Sequence, residues 1–147
     1  MSECSVTINI SKTALLSLQH KDDTLLRKLF DNFIKPLRLG YTVSELEGKY
    51  KPSWELPFES ACPMRNAMVR FAKTNLLYHY HFGFPYYQTG RDPKYPGNES
   101  DGIVHTKFIT NDNEAESLES HVIFRVDEAH PHPFTIPMNL SDDIVPL

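Results

Sequence analysis

The chain has 147 residues and a globular composition, with 40% hydrophobic and 23% charged residues. A formal net charge of −4 excludes a uniformly polycationic protein, and two cysteines, Cys4 and Cys62, favour a reducing compartment over a disulfide scaffold. The N-terminus lacks a signal-peptide pattern, and no apolar run reaches the roughly 18 residues of a membrane span. These features predict a soluble cytoplasmic protein, with a single domain over residues 1–147.

The N-terminal part predicts one strand followed by helices. In residues 5–10 apolar and polar side chains alternate, which is typical of a half-buried strand. Residues 11–20 are compatible with a short helix capped by Ser11, or with a loop. In residues 22–40 apolar residues recur at helical spacing, between aspartates that can cap the start and Gly40, which can end the helix. Pro36 is expected to end or kink its last turn.

The rest of the chain predicts strands joined by loops. Residues 41–66 look irregular, with one helical turn near "SELEG" and Trp54 as a packing anchor. The long loop 85–102 is rich in turn-forming residues, and residues 110–120 are predicted to be an acidic, exposed connector. Prolines argue against a long helix at the C-terminus. The predicted strands are residues 67–73, 76–84, 103–109 and 121–127.

The segment "LLYHYHFGF", residues 76–84, indicates how such a sheet is oriented. As a strand, it places Tyr78, Tyr80 and Phe82 on one face, and His79 and His81 on the other. The same alternation gives each of the other three strands a largely apolar face and a face with cationic or titratable groups. The predicted fold class is therefore α+β: an antiparallel sheet whose apolar face packs against the N-terminal helices in two layers. The polar face would collect Arg70, His79, His81, His105, Lys107, His121 and Arg125.

Three interpretations of the polar face remain open. It can be a solvated surface, an anion-binding surface or a metal site. Residues 62–109 contain six Lys/Arg against three Asp/Glu, whereas residues 110–147 contain one against eight, so the middle of an acidic chain is locally basic. His79-x-His81 and His130-x-His132 could supply four imidazoles to a metal, but no cysteine or carboxylate follows at a typical ligand spacing. The pattern favours a polyanion, and no metal or other cofactor is predicted.

The order of these features resembles the YafO family of bacterial type II toxins, within the broader RelE/ParE-like set. The resemblance covers residues 6–134. Its motifs are an N-terminal strand, a helix ending near "FIKPLRLGY", the segment "SWELP", the strand with His79 and His81, "NESDGIVHTKF", and "HVIFRVDEAHPHP". Two features depart from the wider set: this chain is acidic, and its C-terminal segment is proline-rich rather than a basic helix.

The resemblance implies a RelE/ParE-like fold and a ribosome-dependent endoribonuclease that cleaves mRNA, blocks translation and is controlled by a cognate antitoxin. Metal-free RNA cleavage needs a base, an acid and cations, which histidine, arginine and lysine supply. The positions that match the family pattern are His79, His81, Asp101 and His130, and the polar face adds His105 as a catalytic candidate. The predicted RNA-binding residues are Arg70, Arg91, Lys94, Lys107 and Arg125, and the tyrosines of the 85–102 loop could stack on bases.

Two other functions stay open. One is a non-enzymatic, ParE-like inhibitor that binds another protein, and the other is a histidine-rich metal-binding protein. The sequence does not assign the acid and base among the histidines, the cleavage preference or the oligomeric state.

Overall fold

The computed structural model of the protein describes residues 3–56, 62–112, 116–130 and 134–147. Six strands form one sheet in the order β2-β3-β4-β5-β1-β6. The strands are β1 (Glu3–Ser11), β2 (Tyr50–Pro52), β3 (Leu77–His81), β4 (Ile103–Asp112), β5 (Glu116–Asp127) and β6 (Ile144–Pro146). The α+β class is confirmed, but the sheet is mixed, because β1 runs parallel to β5 while the other pairs are antiparallel. The predicted fully antiparallel sheet is wrong, since alternation indicates which face is buried and not the direction of a neighbouring strand.

The N-terminal helices cover one face of this sheet, as predicted. Helix α1 (Lys12–Leu18) begins at Ser11, whose side chain accepts a hydrogen bond from the amide of Ala14. Helix α2 (Asp23–Leu29) begins at Asp22, continues through a π-helical segment (Phe30–Ile34) and then as α3 (Lys35–Arg38). The helix ends before Gly40, whose φ of 92° is the left-handed conformation that glycine adopts most easily.

The π segment allows the helix to pass Pro36. Proline has no amide hydrogen, so Pro36 cannot donate to the carbonyl of Asn32 as an ordinary α-helix requires. The hydroxyl of Tyr80, on β3, donates to that carbonyl instead, at 3.1 Å. The helix therefore continues to Arg38, and the expectation that Pro36 ends or kinks the last turn is replaced by a wider turn braced against the sheet.

The main core lies between these helices and the sheet. Its largest fully buried side chains come from the helix α2–α3 and from the strand positions that face this helix. Tyr80 and Phe82 point into this core, as the alternation in "LLYHYHFGF" predicts. The most buried members are Ile10, Leu25, Leu29, Phe33, Leu37, Tyr80, Phe82, Val104 and Ile123.

The opposite face of the sheet is also covered. Residues predicted as strand 67–73 instead belong to helix α4 (Pro63–Thr74), whose Ala72 packs with Leu77 of β3 and Ile136 in a second cluster. Pro63 in the first turn is a helix-start signal that outweighs the short apolar run "AMVRFA". The predicted two-layer arrangement with an open polar face is therefore wrong.

Strands β4 and β5 form a long hairpin. Residues 110–112 and 116–120 are strand, so the predicted exposed connector is wrong there, and residues 113–115 lie outside the described chain. An irregularity pairs His105 with Arg125 but Thr106 with Ile123, so Phe124 is an extra residue in β5. This bulge places His121 on the core side and Arg125 on the opposite face, and the prediction that they share one face is wrong.

The described residues between α3 and α4, up to residue 56, contain more regular structure than their prolines suggest. The predicted turn at "SELEG" is a 3₁₀ turn (Val43–Glu45) with a capping box between Thr42 and Glu45. Strand β2 was not predicted, because only three residues pair with β3. Trp54 packs edge-on against Tyr78, which agrees with its predicted packing role. In the described part of the chain, no helix is both long and apolar enough to cross a membrane.

Candidate functional site

Four histidines meet on the sheet face that α4 covers. His79 and His81 come from β3, His105 from β4, and His130 follows β5. The ring centroid of His79 lies 5.7 Å from that of His81, 6.4 Å from that of His105 and 5.9 Å from that of His130. The rings of His81 and His130 stack with centroids 6.0 Å apart. We call these four residues the histidine cluster.

The histidine cluster is buried rather than solvated. His79 and His81 are 4% and 5% exposed, and His105 is fully buried. Phe134 packs against the cluster, with its ring centroid 5.0 Å from those of His79 and His130. The expectation that these histidines lie on an open sheet surface is therefore wrong, because α4 and the segment 134–136 lie over that face.

A pocket of about 1250 Å³ opens beside the cluster. Three of the four histidines line it, whereas His105 lies behind them. Cations and apolar side chains complete its wall, so the pocket presents both charged and apolar surface to a ligand. The polar and ionisable lining residues are Lys49, Lys51, Glu55, Cys62, Arg65, His79, His81, Gln88, Glu99, Ser100, Asp101, His130 and Thr135, and the apolar ones are Leu56, Met64, Met68, Phe134, Ile136 and Met138.

Hydrogen bonds hold the two β3 histidines in place. The Nδ1 of His79 lies 3.0 Å from the hydroxyl oxygen of Ser53. The Nδ1 of His81 lies 2.7 Å from the carbonyl oxygen of Ser100, and the amide of Ser100 points its hydrogen at the same Nδ1, at 3.1 Å. In the tautomer with the proton on Nδ1, His81 donates to the carbonyl and its Nε2 keeps a lone pair that can accept a proton. In the other tautomer, Nδ1 accepts from the amide and Nε2 carries the proton.

Burial keeps these imidazoles neutral at pH 7. Desolvation lowers the pKa of His81 to about 4, against a weaker opposing effect of its bond to Ser100. Desolvation also lowers the pKa of His79 well below its usual value, and positive charge on His105, His81 or His130 would lower it further. Neutral imidazole is the form that acts as a general base or as a metal ligand.

Two lysines bring positive charge to the pocket. The backbone carbonyl of Lys49 accepts a hydrogen bond from the amide of His81, at 3.1 Å. The chain can approach this closely because residue 48 is glycine: a Cβ there would lie 1.9 Å from the carbonyl oxygen of His81. Lys51 is the next residue on the same side of β2, with Tyr50 between them in the core.

Loop 85–102 supplies counter-charges for these lysines. The Nζ of Lys49 lies 2.9 Å from Glu99 and 3.7 Å from Asp92, and the Nζ of Lys51 lies 2.9 Å from Asp92. The hydrogen bond from Lys51 is the main reason that the pKa of Asp92 is well below its usual value. The loop is thus attached to the lysine side of the pocket.

The lining cations were missed from the sequence, and the predicted ones lie elsewhere. Arg70 is exposed on α4, Arg91 is exposed on the loop, and Lys94 pairs with Glu55. Lys107 is half-buried on β4, and Arg125 binds Asp127. None of these five lines the pocket, whereas Lys49, Lys51 and Arg65 do. The alternation Lys49-Tyr50-Lys51 was a usable signal, but it lay among prolines in a segment expected to be irregular.

The remaining predicted residues divide between the pocket and its surroundings. Asp101 is exposed and lines the pocket. The hydroxyl of Tyr87 donates to the carbonyl of His81, so this tyrosine supports the site from behind rather than presenting a free stacking surface. Tyr95 lies beneath the ammonium groups of Lys51 and Lys94, whereas Tyr86 is 61% exposed.

His121 belongs to a different environment on the core side. Its Nδ1 lies 3.0 Å from the hydroxyl of Tyr50, and its Nε2 lies 3.6 Å from Glu119. Glu119 also accepts a hydrogen bond from the amide of Val43. His121 therefore takes no part in the pocket.

The donor atoms of the described residues include no group of three His, Cys, Asp or Glu side chains arranged to hold a metal ion. The cluster, as it stands, offers proton acceptors and hydrogen-bond donors beside cations. Comparisons with protein-family models, with curated proteins and with solved structures find no match for this chain.

Proposed function

We propose that the protein is a metal-independent endoribonuclease that cleaves mRNA on the ribosome and blocks translation, as the toxin of a type II system with a cognate antitoxin. The observation that carries the enzymatic part is the meeting of neutral imidazoles with Lys49 and Lys51 in one pocket. The dependence on the ribosome and the antitoxin partner are supported by the sequence resemblance to YafO-family toxins.

The chemistry follows from the protonation state of His81. Its neutral ring is suited to take the proton from a ribose 2′-hydroxyl, whose oxygen then attacks the neighbouring phosphorus. Lys49 and Lys51 are placed to stabilise the charge that develops on the phosphate oxygens. The 5′-oxygen leaves with a proton from a second imidazole of the pocket, because a bound phosphate anion favours the protonated ring. His130 is the candidate for this second role, because desolvation holds the pKa of His79 well below its usual value and so keeps its ring neutral.

The direct test is cleavage of a message by the purified protein, in one reaction while ribosomes translate the message and in a parallel reaction on the free single-stranded RNA in the presence of a chelator. We expect products with a 2′,3′-cyclic phosphate and a 5′-hydroxyl, and no cleavage where a 2′-deoxynucleotide replaces the nucleotide that supplies the attacking hydroxyl. His81→Ala should reduce the rate by about 10²–10⁴-fold. The matched control is His20→Ala, since His20 is exposed and lies outside the pocket.

Ribosome dependence has its own test. Cleavage of a translated message should be compared with cleavage of the same message free of ribosomes. Cleavage that needs a chelatable metal would contradict the mechanism. The absence of cleavage in both settings, together with arrested growth on expression, would instead favour the non-enzymatic protein-binding inhibitor.

A further inference from the structure

We propose that Arg125 is a positioning residue for the histidine cluster, holding the segment 134–136 against it from the end of β5. This inference rests on the proposed function for its catalytic consequence, but not for the positioning itself. The sequence pattern had assigned Arg125 to RNA binding, which would require its guanidinium to be available to phosphate.

The guanidinium of Arg125 is already engaged within the protein. Its Nη2 donates to the carbonyl oxygen and to the hydroxyl oxygen of Thr135, both at 3.0 Å. The same nitrogen lies 3.0 Å from Asp127 and 3.1 Å from the Nε2 of His105. Its Nε donates to both oxygens of Asp127, at 3.1 and 3.2 Å. The paired carboxylate offsets its charge, and the planar fork spans two segments of chain.

The segment that Arg125 holds is part of the pocket wall. Phe134, next to Thr135, packs its ring against those of His79, His105 and His130. Ile136 is 4% exposed and packs with α4 and β3 in the second cluster. These contacts keep water from the histidines, so a displaced segment would expose them.

Arg125 also orients His105 behind the pocket. The Nε2 of His105 lies 2.9 Å from Asp127, so the carboxylate fixes the ring from β5 while Arg125 holds the carboxylate. His105 faces His79 directly across the β3–β4 pair. Arg125, Asp127 and His105 therefore form a continuous support from β5 to the lining histidine.

The experiment compares Arg125→Lys, Arg125→Ala and Thr135→Ala with the wild-type protein, by NMR titration of the imidazoles. Lysine keeps the charge but cannot span Asp127 and Thr135. The ionisable groups near His79 are His81, His105, His130 and Lys49, and all of them remain in each variant. We expect the pH at the midpoint of the His79 titration to rise in both Arg125 variants, because water reaches the ring. It should rise less in Thr135→Ala, which keeps the backbone carbonyl as an acceptor for Arg125.

A second readout is RNA cleavage. We expect kcat to fall by about 10–100-fold in Arg125→Lys with KM nearly unchanged, because misplacement affects the chemistry more than binding. If His79 titrates in Arg125→Lys with the same midpoint pH as in the wild-type protein, the positioning role is wrong. A rise in KM without a fall in kcat would also contradict it. If the wild-type protein cleaves neither free nor translated RNA, the proposed function fails, while the titration still decides whether Arg125 positions the cluster. Thr135→Ala provides the same test if the Arg125 variants do not fold.

Discussion

Single residues of the cluster combine chemical and structural roles. The sequence predicted that His79 and His81 lie on the polar face of the sheet, opposite the main core. In the structure both rings are buried and hydrogen-bonded on that face. Loss of activity and loss of stability must therefore be measured separately for each substitution.

We expect His79→Ala to lower the free energy of unfolding by about 2 kcal/mol. The substitution leaves a cavity and removes the partner of the buried Ser53 hydroxyl. Urea denaturation measures this change, with the exposed His20→Ala as the control that should change stability by less than about 0.5 kcal/mol. Equal stability of the two variants would show that His79 is not buried in solution.

The neutral imidazoles also predict how stability depends on pH. The folded-state pKa of His81 is about 4, below its usual 6.5, so between these values the unfolded chain binds more protons than the folded one. The contribution of neutral His81 to the free energy of unfolding is fully present above pH 6.5. It is lost as the pH falls, and by pH 4 the loss is about 3 kcal/mol. His79, His105 and His121 act in the same direction, since burial lowers each of their pKa values.

Denaturation with urea at a series of pH values between 7 and 4.5 tests this prediction. His81→Gln should flatten the dependence by removing one titrating ring. Carboxylates such as Asp92 and Glu99, whose folded-state pKa values are lowered, add to this loss only toward the lower end of the window, where the unfolded carboxylates begin to bind protons. A free energy of unfolding that does not change from pH 7 to 4.5 would contradict the burial of the cluster.

At the scale of elements, hydrophobic periodicity predicted the helices and strands whose own sequence carries a long apolar pattern. Strands β1, β3, β4 and β5 and the helix from Asp23 to Arg38 were predicted, since each has an extended apolar pattern. Helix α4 was missed because a short apolar run fits both periods, and β2 because its three residues pair only through β3. The bulge at Phe124 depends on pairing with β4, which no pattern within β5 reveals.

The site was likewise predictable only where local sequence determines the position of a residue. His79, His81, Asp101 and His130 line the pocket as a group, and alternation within one strand was enough to find the first two. The lysines were missed because their position depends on the close approach at Gly48, a long-range contact. Among the cations predicted from strand faces, Arg70 lies elsewhere because the strand predicted at 67–73 is a helix. Lys107 and Arg125 lie on the same sheet face as His105, as predicted, but neither lines the pocket, and the guanidinium of Arg125 binds Asp127 and Thr135 instead.

One contact between elements is directly testable. The hydroxyl of Tyr80 donates to the carbonyl of Asn32 and accepts a hydrogen bond from the amide of Gly48, so it links the π segment, β3 and the chain before β2. We expect Tyr80→Phe to lower the free energy of unfolding by about 2 kcal/mol, because it leaves buried polar groups without a partner. Tyr86→Phe is the matched control, since Tyr86 is 61% exposed. Thermal or urea denaturation of Tyr80→Phe and Tyr86→Phe measures the difference. Equal stability of the two variants would contradict the stabilising role of the Tyr80 hydroxyl.

At the scale of the molecule, the charge distribution decides where a polyanion can bind. The chain carries a net charge of −4, and in the described residues helices pack against both faces of the sheet. Lys49 and Lys51 enter the pocket wall already balanced by Asp92 and Glu99. An RNA phosphate must therefore compete with these carboxylates for the lysines. We expect RNA binding to involve a few phosphate contacts in the pocket rather than many contacts across a basic surface.

This arrangement predicts the salt dependence of binding. For a single-stranded oligonucleotide with 2′-deoxy sugars, which binds without being cleaved, log K should fall linearly with log salt concentration. Lys51→Ala should weaken binding and reduce the slope by about 0.7, the value expected for one phosphate contact with a single strand. Arg70→Ala is the matched control, since Arg70 is exposed on α4 and does not line the pocket. Fluorescence anisotropy at several salt concentrations measures both slopes. A larger change of slope in Arg70→Ala than in Lys51→Ala would move the binding surface from the pocket to the outer face of α4.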